Sequence, residues 1–150
     1  MAADRWRVFL DTNVLISGVL SRTGASAAIL DLAEAEEILA VVSRQVLVEA
    51  DRVFSAKFPH LLERYRIFIK NLAPLLADDP TPHAVKEAAQ IIDADDTPIL
   101  AAAKHARVEY LVTLNTRHFH TEKARAYLPC PILTPLEFLT TFRTFWERQS

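Results

Sequence analysis

The chain runs from Val8-Phe9-Leu10 through Asp11 straight into Thr12-Asn13-Val14-Leu15-Ile16-Ser17-Gly18, and no other junction restricts the possible folds as much. A short, continuous apolar run reads as a strand buried on both faces. The acid that closes it, with a helix following almost at once, sits at the strand's carboxyl end. In an open α/β sheet that end is where ligands bind. Two further acids stand at similar boundaries: Glu49 inside Val46-Leu47-Val48-Glu49-Ala50, and Asp96 just ahead of Pro98-Ile99-Leu100-Ala101-Ala102-Ala103.

The rest of the chain alternates strand-like and helix-like segments, the pattern of a parallel sheet covered by helices. Strands are expected at 8–10, 38–42, 109–113 and, briefly, 132–133. Helices are expected at 26–36, from an N-cap at Ser43 to about Ala56, at 60–73, 83–92, 98–106 and 135–148. Prolines 74, 80 and 82 punctuate the middle of the chain. No repeat, linker or low-complexity tract interrupts this order.

Size and composition narrow the class. With 150 residues, 51% of them apolar and 24% charged, the chain suits one compact domain over 1–150. The start Met1-Ala2-Ala3-Asp4-Arg5-Trp6-Arg7 has no apolar signal core, and no uncharged run is long enough to span a bilayer, so a cytoplasmic protein without membrane contact is expected. Cys130 is the only cysteine, which excludes an internal disulfide and a thiolate metal cage. A formal charge of −2 means that any nucleic-acid contact must come from local basic patches or bound metal.

The acids are the candidate chemistry. Two unit charges about 4 Å apart repel by roughly 4 kcal/mol at an effective dielectric near 20, so clustered carboxylates call for a cation. Oxygen ligands of this kind suit Mg²⁺ or Mn²⁺. Each acid also has a plainer explanation. Asp11 could cap the turn that follows it, Asp96 could cap a helix, and Glu49 could pair with Arg52 or Arg44. Asp93 and Asp95 read as loop acids, and His118 and His120 as surface residues.

The segments Asp11-Thr12-Asn13-Val14-Leu15-Ile16-Ser17, Ser43-Arg44-Gln45-Val46-Leu47-Val48-Glu49, Asp93-Ala94-Asp95-Asp96-Thr97-Pro98-Ile99-Leu100-Ala101-Ala102-Ala103 and Val112-Thr113-Leu114-Asn115-Thr116-Arg117-His118-Phe119 resemble, in that order, the PIN-domain family. The resemblance is greatest to the ribonuclease halves of VapC-type toxin-antitoxin pairs, and it runs from about Val8 to Leu136. It implies a three-layer, Rossmann-like α/β/α sandwich with a mainly parallel central sheet, Mg²⁺- or Mn²⁺-dependent cleavage of RNA, and a cognate antitoxin as partner. By motif position, Asp11, Glu49 and Asp96 match the family's first three metal-binding acids, with Thr12, Asn13 and Thr113 in supporting positions. Where many members carry a fourth acid, this chain has Asn115, which can offer an oxygen but neither charge nor base.

Substrate grip is less legible. Lys57, Arg64, Arg66 and Lys70, with Arg52, outnumber the acids of the two middle helices and are candidates for RNA phosphate contacts. A PIN-like RNA- or protein-binding module with weakened catalysis is the alternative that Asn115 suggests. A haloacid-dehalogenase-type phosphotransferase needs a second Asp two residues after the first, and position 13 is Asn. The apolar stripe Phe138, Leu139, Phe142, Phe145 and Trp146 is too aromatic for a free terminal helix; core packing, cover for a sheet edge or contact with a second subunit in a homodimer would each account for it.

Overall fold

The computed structural model describes residues 5–92, 97–119 and 121–149. Its first half holds β1 (Arg7–Leu10), α1 (Thr12–Leu20), α2 (Ala25–Glu34), β2 (Leu39–Ser43), α3 (Arg44–Lys57), a 3-10 turn at Pro59–Leu61, α4 (Leu62–Leu72) and β3 (Leu75–Ala77). α5 (Pro82–Ala89), α6 (Thr97–Ala106), β4 (Tyr110–Val112), α7 (Thr116–Phe119), α8 (Glu122–Tyr127), β5 (Ile132–Leu133) and α9 (Pro135–Gln149) follow.

The five strands form one sheet in the order β3-β2-β1-β4-β5, and every pairing is parallel. Val8, Phe9 and Leu10 in β1 and Ala40 to Ser43 in β2 are all buried, although alternate residues face opposite sides of a sheet. Helices therefore cover both faces, giving the expected α/β/α sandwich. Strand order reverses between β1 and β4, because the chain winds outward to β3 and then returns to the other side of β1. That switch point opens a crevice at the carboxyl ends of β1 and β4, where Asp11 and Thr113 lie.

Local chemistry explains most element ends. Ser43 caps α3, its Oγ accepting from the Val46 amide at 3.2 Å. α2 stops at Glu34, and Glu36 just beyond it takes a left-handed φ of 62°. Three elements depart from the expectation. β3 is a fifth strand: only three residues long and lying between Pro74 and Pro80, it pairs on one side alone, so the prolines that mark it as a turn cost it no ladder bond. α7 and α8 have four and six residues, too few for a helical period to show in sequence.

The core is built on Phe9, Leu10, Leu15, Ile29, Ile38, Leu100, Leu111, Phe119, Leu128 and Phe138, all essentially inaccessible to solvent. The α9 stripe is core packing at its start, where Phe138 is fully buried and Leu139 and Phe142 pack partly buried against the core, while Phe145 is 39% exposed. Trp6 gathers the stripe, with ring centroids 4.8 Å from Tyr110, 5.9 Å from Phe142 and 4.6 Å from Phe145. Trp146, at the far end of the stripe, is 54% exposed. Cys130 is half-buried, and burial pushes its thiol up to about 11, in keeping with an ordinary packed residue. Among the described residues no single helix is long and apolar enough to cross a membrane.

Two packing details make predictions. Gly18 sits where α1 meets α2 at 96°; a Cβ there would overlap Leu30 Cδ1 and lie 3.3 Å from the carbonyl carbon of Ser26. Gly18→Ala is therefore expected to destabilise by about 1–2 kcal/mol, overpacking outweighing a helix-propensity gain of about 1 kcal/mol. Denaturant melts would show it as a lower midpoint.

Tyr65 stacks on Phe54 at 4.7 Å, and its buried hydroxyl has no hydrogen-bond partner among the described residues. Burial, with the nearby Asp51 charge, pushes the phenol up to about 12. An unfolded tyrosine ionises near 10, so the associated stability is complete below pH 10 and is lost as pH rises from about 10 to 12. Tyr65→Phe is expected to flatten that alkaline loss and to gain about 1 kcal/mol at neutral pH, as an unpartnered polar atom leaves the core. Thermal melts from pH 8 to 12 check both.

Candidate active site

Asp11 ends β1 and caps α1, with extended backbone at φ −71°, ψ 160°, and is 4% exposed. Its backbone N–H donates to Val112 O at 3.1 Å, tying it to the neighbouring strand. Its carboxylate accepts from the Thr12 amide at Oδ1 and from the Thr113 hydroxyl at Oδ2, both at 2.7 Å. These are short, charge-assisted bonds at a helix N-terminus, where the dipole also favours negative charge. The capping reading of Asp11 is correct as far as it goes. It does not account for Thr113, which reaches across from β4.

Glu49 lies on α3, which starts directly after β2 and so brings its first two turns toward the same crevice. The acid does not pair with Arg44 or Arg52. Its Oε2 accepts from the Thr12 hydroxyl and its Oε1 from Gln45 Nε2, both at 2.9 Å. Thr12 therefore joins the two acids, its amide serving Asp11 and its hydroxyl serving Glu49. Gln45 joins the candidate site without having been singled out by motif, and its i, i+4 spacing from Glu49 on α3 is the sequence signal of the contact.

The loop after β4 completes the arrangement. Asn13 Oδ1 accepts from the Leu114 amide at 3.1 Å, and Thr113 Oγ accepts from the Asn115 amide at 3.0 Å. Thr113 thus holds Asn115 through backbone while holding Asp11 through its proton. Asn115 is exposed and immediately precedes α7. Asp93, Asp95, Asp96 and His120 lie outside the described residues, as does the side chain of His118.

Among the described residues no group of three or more His, Cys, Asp or Glu side chains could hold a metal. The donor chemistry at the crevice nevertheless suits a hard cation. It is all oxygen, from the Asp11 and Glu49 carboxylates and the Thr12 and Thr113 hydroxyls. One or two carboxylates with water meet the needs of Mg²⁺.

The basic residues divide. Arg66 is locked to Asp51 by two bonds of 2.8 and 3.0 Å, which hold the Asp51 carboxyl below its usual range. Arg64 lines a cavity of about 190 Å³ between α1, α2 and α4, in company with Asp31 and Glu34. Lys57 and Lys70 are exposed in the last turns of α3 and α4.

An all-parallel sheet with a buried acid at its switch point, bridged to a second acid on the next crossover helix, defines the molecule as an α/β/α domain with an acidic crevice. The chain belongs to the PIN-domain family, whose sequence profile matches residues 7–117. Solved structures share the fold. VapBC2 from Rickettsia felis, solved bound to a DNA fragment from its promoter, gives a TM-score of 0.63 at 20% identity, covering 85% of this chain and 96% of that one. FitAcB from Neisseria gonorrhoeae gives 0.62 at 21% identity, covering 86% and 98%. No curated protein matches the chain.

Proposed function

We propose that this protein is an Mg²⁺- or Mn²⁺-dependent ribonuclease and the toxin of a toxin-antitoxin pair. The observation that carries the reading is the Thr12 bridge, which holds a nearly buried Asp11 and a half-buried Glu49 as neighbours at the sheet's switch point. Capping accounts for Asp11 but not for a second carboxylate held beside it, and the repulsion between the two is what a bound cation would offset. PIN domains are generally nucleases, which agrees with this chemistry. Similarity to VapBC2 and FitAcB supports an antitoxin as partner.

In this reading Asp11 and, by motif position, Asp96 would hold the metal, Glu49 would bind it through water or orient the attacking water, and Asn115 would complete the shell. The cation supplies, when bound, a lowered pKa for water and charge stabilisation at the scissile phosphate. Thr113 and the Thr12 amide fix the Asp11 carboxylate. Gln45 and the Thr12 hydroxyl each donate to the Glu49 carboxylate and so hold it where it would orient the attacking water. Asn115 stands at the rim with a neutral oxygen, so the site carries less negative charge than a four-acid crevice and binds its cation less tightly.

Incubation of a mixed RNA pool with Mn²⁺ tests the reading. The wild-type protein is expected to produce fragments that EDTA suppresses and that Asp11→Asn does not produce. Intact RNA after incubation with wild type, or equal cleavage by both proteins, would overturn it.

A further inference from the structure

We propose that Arg44 and Arg52 form the phosphate-binding subsite for single-stranded RNA beside the acidic crevice; the proposal rests on the nuclease reading and narrows its substrate contacts to two side chains. On α3 the residues Arg44, Val48 and Arg52 follow at i, i+4 and i+8, a single stripe, and Gln45 and Glu49 form the stripe next to it. All five line one open cleft of about 340 Å³, together with Asp79. Glu49 therefore belongs to two surfaces at once: its carboxylate accepts from Thr12 at the crevice, and the residue also lines the cleft shared with the arginines.

Charge explains why cations belong here. An RNA strand is a polyanion, and Asp11, Glu49 and Asp79 repel it as it nears the crevice. Arg44 and Arg52 are exposed, and among the described residues neither guanidinium takes part in an ion pair or hydrogen bond. Arg66, by contrast, has its fork occupied by Asp51. The two free guanidiniums stand roughly 12 Å apart along the helix axis, enough to meet two different phosphates. Val48 lies between them, 47% exposed, and gives a sugar or base an apolar surface. Planar guanidiniums suit phosphate better than the point charges of Lys57 or Lys70.

Fluorescence anisotropy with a labelled single-stranded RNA, in EDTA to prevent turnover, tests the assignment across a salt series. The double variant Arg44→Gln/Arg52→Gln is expected to bind about tenfold more weakly, from two exposed charge contacts. Its log-log salt dependence should be shallower by about 1.4, because each single-strand phosphate contact contributes about 0.7. Arg44→Lys/Arg52→Lys should keep the slope and lose part of the affinity. Arg66→Gln should change Kd less than twofold. An unchanged Kd and slope in the double Gln variant overturns the subsite, as does an equal loss in Arg66→Gln or a wild type that binds no RNA. A wild type that binds through these arginines yet cleaves nothing in Mn²⁺ would instead sink the nuclease reading and leave the subsite standing.

Discussion

Asp11→Asn is expected to lower RNA turnover by about 10³-fold, the order of loss seen when one preorganised charge-stabilising group is removed from an active site. The substitution is nearly isosteric, and the asparagine Oδ1 can still accept from the Thr12 amide, so α1 keeps its cap. The new NH₂ meets Thr113 Oγ, which must give up its role as donor. A melting temperature in EDTA within a few degrees of wild type should result, since lost hydrogen bonding is offset by relief of repulsion with Glu49. What should vanish is the response to metal. For wild type, Mn²⁺ at about 100 times its dissociation constant adds roughly 2.7 kcal/mol of stability, and for Asp11→Asn little or none. Cleavage assays and paired melts with and without Mn²⁺ read both effects. Full turnover by the variant would remove Asp11 from the chemistry.

Thr113→Val should be the most damaging small substitution near the crevice. The side chains have almost the same volume, yet the hydroxyl is both donor to Asp11 at 2.7 Å and acceptor from Asn115 at 3.0 Å. Valine removes one donor from the buried Asp11 carboxylate and the side-chain acceptor of the Asn115 N–H. A loss of about 2–3 kcal/mol follows, or roughly 5–10 °C for a chain of this length. Mn²⁺ should recover part of it, because a cation can take over the charge that Thr113 no longer supports. Thr113→Ser restores the hydroxyl and should melt close to wild type. Equal melting temperatures for Thr113→Val and wild type would show that the bond to Asp11 does not hold the site.

Local chemistry is what a sequence shows best, and the elements read correctly are the ones it governs. Val8 to Leu10 declare a buried strand by composition. Ser43 declares a helix start through one side-chain oxygen and one amide three residues on. The helix expected at 60–73 forms from Leu62, with the preceding Pro59–Leu61 winding as a 3-10 turn. β3 was hidden for the opposite reason. Leu75 and Leu76 are exposed, and the three residues become a strand only because β2 offers an unpaired edge.

The candidate site divides along the same line. That Asp11 closes a strand, that Glu49 stands on the helix after another, and that Thr12, Asn13 and Thr113 flank them were legible from apolar runs and motif order. Which atoms meet was not. Thr12 and Glu49 are 37 residues apart and Asp11 and Thr113 are 102 apart, and no periodicity connects positions so distant. A count of basic residues on two helices could not reveal that Arg66 is spent on Asp51, or that Arg44 and Arg52 share a cleft with Glu49. Propensity, capping and burial act over a few residues, so the chain alone declared the longer elements and the chemistry they carry, but not β3, α7 or α8. The strand order that places β1 beside β4 comes from packing over the whole chain, because parallel pairing is settled by which long crossovers can pack their apolar faces together, and that order brings Asp11, Thr113, Thr12 and Glu49 into one crevice.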